Sequence, residues 1–203
     1  MSPTRPDAPH AASPAEPRQV LLFSGHRIDA PGRALPRLPP DKERAAARRI
    51  AEALDRLEAG PADLALTQGA AGGDLLFAEA CLNRGVPLQL LLPLAEDAFI
   101  AQSILSCAGG AAWRERYLAL KARLRAPPRL ADEELGSLPA DADPWERGAR
   151  WLLDTALAHG ADKLRFIALW DGGGGDGAGG TQHMVEQVRR RHGQVCWIDT
   201  RSL

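Results

Sequence analysis

Ala62–Gly85, ADLALTQGAAGGDLLFAEACLNRG, decides the fold. Ala62–Thr67 is a short apolar run of strand length. Gln68–Asp74 then breaks it with three glycines, and Leu75, Leu76, Ala78, Glu79 and Leu82 resume at helical spacing. The period changes from strand to helix within seven residues, so the stretch reads as a buried strand, a glycine turn and an amphipathic helix. A turn this poor in Cβ atoms lets a ligand lie against the backbone, and the unpaired N–H groups that open a helix favour an anion. Gly69, Gly72 and Gly73 therefore read as a phosphate cradle. The same glycines would also serve a tight strand-to-helix connection with no ligand.

Outward from this unit the pattern alternates. Gln19–Ser24 is a continuous apolar run ending at Gly25, as expected of a parallel strand covered on both faces. The proline-rich His26–Pro40 must cross the surface near that strand's end. Asp41–Ala59 has a helical apolar stripe (Ala46, Ile50, Ala53, Leu54, Leu57), with Asp41 placed to cap it, and Gly60-Pro61 stops it. Val86–Leu92 reads as a strand, Ala95–Ser103 and Ala111–Arg125 as helices, Lys163–Trp170 and Gln194–Asp199 as strands, and Thr181–His192 as a helix. Asp143-Pro144 supplies an N-cap and an N1 proline for a helix ending near Gly160, with Trp145, Ala149, Leu152, Leu153, Ala156 and Leu157 on its core stripe and Arg147, Arg150, Trp151 and Asp154 opposite. The expectation is an α/β, Rossmann-like domain over residues 19–203, with a mostly parallel sheet of about five strands and helices on both faces. Residues 107–143 lose the apolar period and read as a flap or insertion. Residues 1–18, with five prolines, read as a disordered tail.

Composition narrows the function. The chain of 203 residues suits one domain with a tail, and 25 basic against 26 acidic residues leave no field to hold a nucleic-acid polymer or an anionic membrane. A small molecule or a protein is the better partner. Cys81, Cys107 and Cys196 lack zinc-site spacing and read as buried, reduced thiols. No run approaches a membrane span or a secretory h-region, so a cytoplasmic location is expected.

Three loops leave strand ends at the carboxyl edge, where open parallel sheets bind ligands. Ser24, Gly25, His26, Arg27 and Asp29 offer a hydroxyl, an imidazole, a guanidinium and a carboxylate. Gln68, Gly69, Gly72, Gly73 and Asp74 offer the glycine turn with an acid. Asp171, Gly179, Gly180, Thr181 and His183 belong to a second glycine-rich turn. Each has a structural reading too: His26 satisfying a carbonyl, Arg27 pairing with Asp29, Asp74 facing its helix N-terminus, Arg147 and Arg150 on a solvated face. Beside phosphate-sized turns, the arginines become counterions. The lysine-hydroxyl pair of a Walker loop is absent. Gly175–Gly180 matches GxGxxG only formally, because that fingerprint belongs after the first strand. Gly-x-Ser-x-Gly, His-Glu-x-x-His and Cys-x-x-Cys do not occur.

Phe23–Arg33 (FSGHRIDAPGR), Leu64–Gly85, Pro144–Gly160 (PWERGARWLLDTALAHG) and Arg165–Val185 resemble a bacterial branch of the SLOG superfamily. The resemblance implies a Rossmann-like fold, recognition of a nucleotide or nucleotide-derived ligand, and association with signalling modules. The superfamily includes the lonely-guy phosphoribohydrolases, whose motif continues Gly-Thr-x-x-Glu. Gly180-Thr181 resembles its start, but Met184 stands where the glutamate would be, and Glu186 points about 200° around the helix from it. A thioether is neither acid nor base. The phosphate-binding half of the motif is kept and the chemical half is not.

The leading expectation is a nucleotide sensor or regulatory module that requires no further cofactor. Gly69, Gly72 and Gly73 would hold one phosphate, and Gly179, Gly180 and Thr181 a second or the ribose. Arg27 and Arg147 would supply charge, and Asp74 or Asp29 would read ribose hydroxyls. One alternative is an N-ribosyl hydrolase or transferase using Asp74, Asp171 or His26. Another is an interaction module with a vestigial pocket, serving a signalling protein or a second copy of the chain.

Overall fold

The computed structural model describes residues 16–174, 179–191 and 193–203. The described chain is α/β, built on one parallel sheet of six strands in the order β4-β3-β2-β1-β5-β6. The strands are β1 (Val20–Gly25), β2 (Leu64–Thr67), β3 (Leu88–Leu92), β4 (Arg129–Leu130), β5 (Leu164–Trp170) and β6 (Gln194–Asp199). The count exceeds the expected five by β4, two residues within the segment read as a flap, where no apolar period could announce it. β1 lies at the centre, with Val20 opposite both Leu64 and Leu164. Its apolar run reflects that position, since each face of the strand is covered.

The helices are α1 (Glu43–Arg56), α2 (Gly73–Asn83), α3 (Glu96–Ser103), α4 (Gly110–Lys121), α5 (Ala131–Leu135), α6 (Pro144–Leu157) and α7 (Thr181–Arg190). One core gathers Leu21 and Phe23 with α1, α2 and α4, and the opposite core gathers Val20, Leu22 and Phe166 with α6 and α7. The sheet is thus sandwiched between two helical layers. α2 is not amphipathic as expected: Leu75, Leu76, Phe77 and Ala78 are all buried, because α1 and α4 flank the helix while it lies on the sheet. Phe77 stacks on Phe23 with centroids 4.8 Å apart.

Two further expectations change. Asp41 does not cap α1; it lies in a 3-10 turn, Pro40–Lys42, that precedes the helix. Trp151 is buried rather than solvated, and the Arg129 guanidinium lies over its ring. Asp143 does cap α6, accepting the Trp145 and Glu146 N–H groups at 2.8 Å. Cys81 and Cys107 are buried and Cys196 is half-buried, all three as free thiols. Among the described residues no helix is long and apolar enough to cross a membrane.

Most of the expected N-terminal tail, residues 1–15, lies outside the described residues. Its expected boundary at residue 18 is too late. The Arg18 N–H donates to the Ala62 carbonyl at 2.8 Å, and its guanidinium pairs with the buried Asp63 carboxylate at 2.9 Å. Asp63 also accepts from the Gly60 N–H and the Gln19 amide, so it ties the start of β1 to the start of β2. Asp63→Ala is expected to cost about 2 kcal/mol in urea unfolding, since it strips these donors of a charged acceptor. Deleting residues 1–18 should lower the melting temperature measurably, whereas deleting only 1–15 spares the Arg18–Asp63 pair and should change it less.

Candidate functional site

The strand order reverses direction between β1 and β5, which marks the place where an open α/β sheet leaves a crevice at its carboxyl edge. A cavity of about 500 Å3 lies there. Ser24, Gly25, His26, Arg27 and Asp29 reach it from the end of β1, Gln68 and Asp74 from the β2–α2 connection, and Gly179, Gly180 and Thr181 from the start of α7. Thus ten of the expected site residues converge on one space.

Five do not line it. Gly69, Gly72 and Gly73 are buried in the β2–α2 turn, and the N–H groups of Gly69 and Gly73 already have acceptors within the chain. Gly69 and Ala70 each donate to Asp74 Oδ2 at 3.2 Å, Ala71 donates to the Ser103 carbonyl, and Gly73 donates to the His26 carbonyl at 3.1 Å. Arg27 and Gly72 form an antiparallel bridge, and a Cβ on Gly72 would come within 2.5 Å of the Ile28 nitrogen at a φ of 107°. These glycines are therefore explained by the approach of one loop to another, which replaces the phosphate cradle. Arg147 points away from the crevice; its guanidinium donates to the Ala131 and Gly136 carbonyls and pairs with Asp132 at 3.2 Å, holding the 131–136 segment. Asp171 stands behind the cavity wall. Its N–H donates to His26 Nε2 at 3.1 Å, and its Oδ1 accepts from the Gly173 N–H.

His26 joins all three loops. Its N–H donates to the Leu169 carbonyl at 2.9 Å, its carbonyl accepts from Gly73, and its imidazole accepts from Asp171. Burial depresses its pKa, although the Asp171 carboxylate, whose Oδ1 lies 3.2 Å from Nε2, works against this. Burial also pushes the Asp171 carboxyl up, but the Gly173 N–H and His26 outweigh it and the net shift is down.

The second glycine turn differs from the first. α7 opens at Gly180 with no side-chain cap, and the hydroxyls of Ser24 and Thr181 stand 3.1 Å apart at its mouth. A Cβ on Gly179, at a φ of 86°, would meet the Trp145 and Glu146 backbone within 2.6 Å, so this turn is seated on the first turn of α6. The formal GxGxxG match falls largely on residues 175–178, outside the described residues.

Sequence reasoning did not single out Arg33, Arg37, Gln102, Ser103, Ser106 and Trp170 as cavity residues, and it placed Trp145 in the core. Arg33 and Arg37 sit in the proline-rich segment after β1, a segment that had to lie at the strand's carboxyl end. That position was the available signal. Asp29 accepts the Arg37 and Leu38 N–H groups at 2.9 and 3.0 Å, which curls this segment over the crevice. Arg27 Nη1 donates to the Gln102 carbonyl at 2.6 Å, Arg33 Nε to the Leu35 carbonyl at 3.0 Å and Arg37 Nη2 to the Gly174 carbonyl at 3.3 Å. Arg33 Nε also lies 3.6 Å from Asp29 Oδ1, so the carboxylate that curls the segment pairs with one of the guanidinium groups at the rim. Asp143 also borders the cavity, with its carboxylate engaged as the α6 cap.

Asp74 is the buried acid on the cavity wall. Burial raises its pKa to about 6, against the opposing pull of the Ala70 and Gly69 N–H groups. Behind it lies a void of about 20 Å3 that Met184 also borders. Met184 is 1% exposed, packs in the core that α6 and α7 share, and does not border the larger cavity. Among the described residues no group of three or more His, Cys, Asp or Glu side chains is placed to hold a metal ion. No model of a known protein family matches the sequence, and no curated protein matches it.

Two predictions follow from this geometry. Gly72→Ala should destabilise the fold by about 3 kcal/mol or more in urea unfolding, because strain at positive φ adds to a backbone clash. Gly32→Ala, also at positive φ but in open space, should cost only about 1 kcal/mol. For Asp74, the folded pKa of about 6 lies above that of an unfolded carboxyl. The folded state therefore holds the proton more tightly; the stability this contributes is full below about pH 4 and is lost as pH rises through 6. Asp74→Asn keeps a carbonyl acceptor for Gly69 and Ala70, so it should stabilise the fold at pH 8 by up to roughly 3 kcal/mol. That gain should vanish near pH 4 in melts across the range.

Proposed function

We propose that the protein binds a nucleotide or nucleotide-derived ligand in the β1/β5 crevice, as a sensor or regulatory module in the cytoplasm. The observation that carries this reading is the mouth of α7: an uncapped helix N-terminus with paired Ser24 and Thr181 hydroxyls opens into a cavity rimmed by Arg27, Arg33 and Arg37. Helix N–H groups and hydroxyls suit a phosphate, and guanidinium groups suit further anionic oxygen. A space of about 500 Å3 is in the range of small-molecule sites. The four stretches that resemble the SLOG superfamily include the end of β1 with its loop, α6 and the mouth of α7, which supports the same ligand class.

A second reading has its own observation. Asp74 presents a buried carboxyl with a pKa near 6 to the same cavity, a value suited to carrying a proton at neutral pH. In an N-ribosyl hydrolase or transferase, that carboxyl would protonate the departing base or activate the attacking hydroxyl. Met184, standing where the lonely-guy motif has its glutamate, weighs against this reading.

Thermal melts with AMP, GMP, cyclic nucleotides, NAD and ADP-ribose test the first reading. A nucleotide at a hundred times its Kd should add about 2.7 kcal/mol. Thr181→Val keeps the side chain's shape but loses its hydroxyl, and should weaken that nucleotide's binding roughly tenfold. No shift with any nucleotide would sink the proposal. Chromatography of the same mixtures separates the two readings: base release beyond stoichiometry that disappears in Asp74→Asn would establish the enzyme.

A further inference from the structure

Two tryptophans border the cavity, and they are held differently. The Trp170 indole N–H donates to the Gly173 carbonyl at 2.8 Å, and its ring tilts against Trp197 with centroids 5.8 Å apart. That ring is committed to the end of β5 and to the edge strand. Trp145 is half-buried in the first turn of α6. Its backbone N–H is fixed by Asp143, and its ring is backed by Phe99 at a centroid distance of 6.4 Å. No hydrogen bond commits its indole elsewhere among the contacts of the described residues.

Position adds to this. A Cβ on Gly179 would strike the Trp145–Glu146 peptide group, so the residue carrying this ring is in direct contact with the turn that opens α7. Gln68, Gln102 and Ser103 border the same cavity and supply polar side chains, while the Ser106 hydroxyl is already engaged with the Gln102 carbonyl. A flat surface with polar groups beside it suits a heteroaromatic ring, whose face stacks while its edge is hydrogen-bonded; an aliphatic chain would leave those polar groups without partners.

We propose that Trp145 is the platform on which the ligand's nucleobase stacks, with the phosphate end of the same molecule at the mouth of α7. This rests on the cavity being a nucleotide site, and it adds the residue that distinguishes a base-bearing ligand from a bare sugar phosphate. The arrangement makes the α6–α7 contact the ruler of the site, since base platform and phosphate turn are fixed to each other through Trp145 and Gly179. Recognition would then be sensitive to loss of the base and tolerant of which base is present, because every base has a π-face.

The test is titration of the full chain with AMP, GMP and CMP by calorimetry, and with ribose 5-phosphate by NMR, which reaches weak affinities. Trp145→Ala and Trp145→Leu should each weaken nucleotide binding at least about fivefold while leaving ribose 5-phosphate within about twofold, and Trp145→Phe should recover most of the loss. Trp145→Leu keeps apolar packing against Phe99, so it carries the test if the alanine variant folds poorly. An equal loss for nucleotide and ribose 5-phosphate would show that Trp145 only seats the Gly179 turn, and unchanged nucleotide affinity would show no role; either overturns the proposal and leaves the nucleotide site standing. Failure of the wild-type protein to bind any of the three nucleotides overturns the nucleotide reading, and the platform with it.

Discussion

His26 is the point at which the carboxyl edge of the sheet is tied together. Through one N–H, one carbonyl and one imidazole nitrogen it engages Leu169, Gly73 and Asp171, so the ends of β1 and β5 and the start of α2 share a residue. The imidazole can accept the Asp171 N–H only while Nε2 is unprotonated, and burial favours that neutral form. Everything above the sheet inherits this arrangement. The Arg27–Ile28 backbone is drawn against Gly72, Asp74 folds back onto its own turn, and the proline-rich segment leaves in the direction that lets Asp29 curl it over the crevice.

The two glycine turns illustrate how such a tie divides labour. A buried N–H without a partner costs on the order of 1–3 kcal/mol, so a turn pressed between loops must find acceptors in the chain. The β2–α2 turn finds them in Asp74, Ser103 and His26. The α7 turn faces the cavity instead and has no side-chain cap. The N–H groups that open a helix have no acceptor within it, which is the physical reason a helix N-terminus favours an anion.

Asp74 stands between these two worlds. Its carboxylate serves the β2–α2 turn as an acceptor, yet its other side borders the cavity and the small void beside Met184. Its raised pKa is the consequence of burial, which outweighs the Ala70 and Gly69 N–H groups and the Arg27 guanidinium, itself drawn toward the Gln102 carbonyl.

The sequence by itself determined the parallel α/β sheet, because runs such as Val20–Phe23 and Phe166–Leu169 are apolar on consecutive residues and only a strand covered on both faces needs that. It also determined the cap of α6, where Asp143-Pro144 is a local signal read by the next three residues. Convergence of the Ser24–Asp29, Gln68–Asp74 and Gly179–Thr181 segments followed from topology. What only the tertiary structure decided is which glycine turn stays open, which arginine meets the crevice and which tryptophan does. Gly72 is needed by Ile28, Arg147 is taken by Ala131 and Gly136, and Trp145 faces the cavity beside Phe99. Each depends on a neighbour between 11 and 46 residues away in the chain, and spacing within a single loop or helix carries no information about what another loop will press against it.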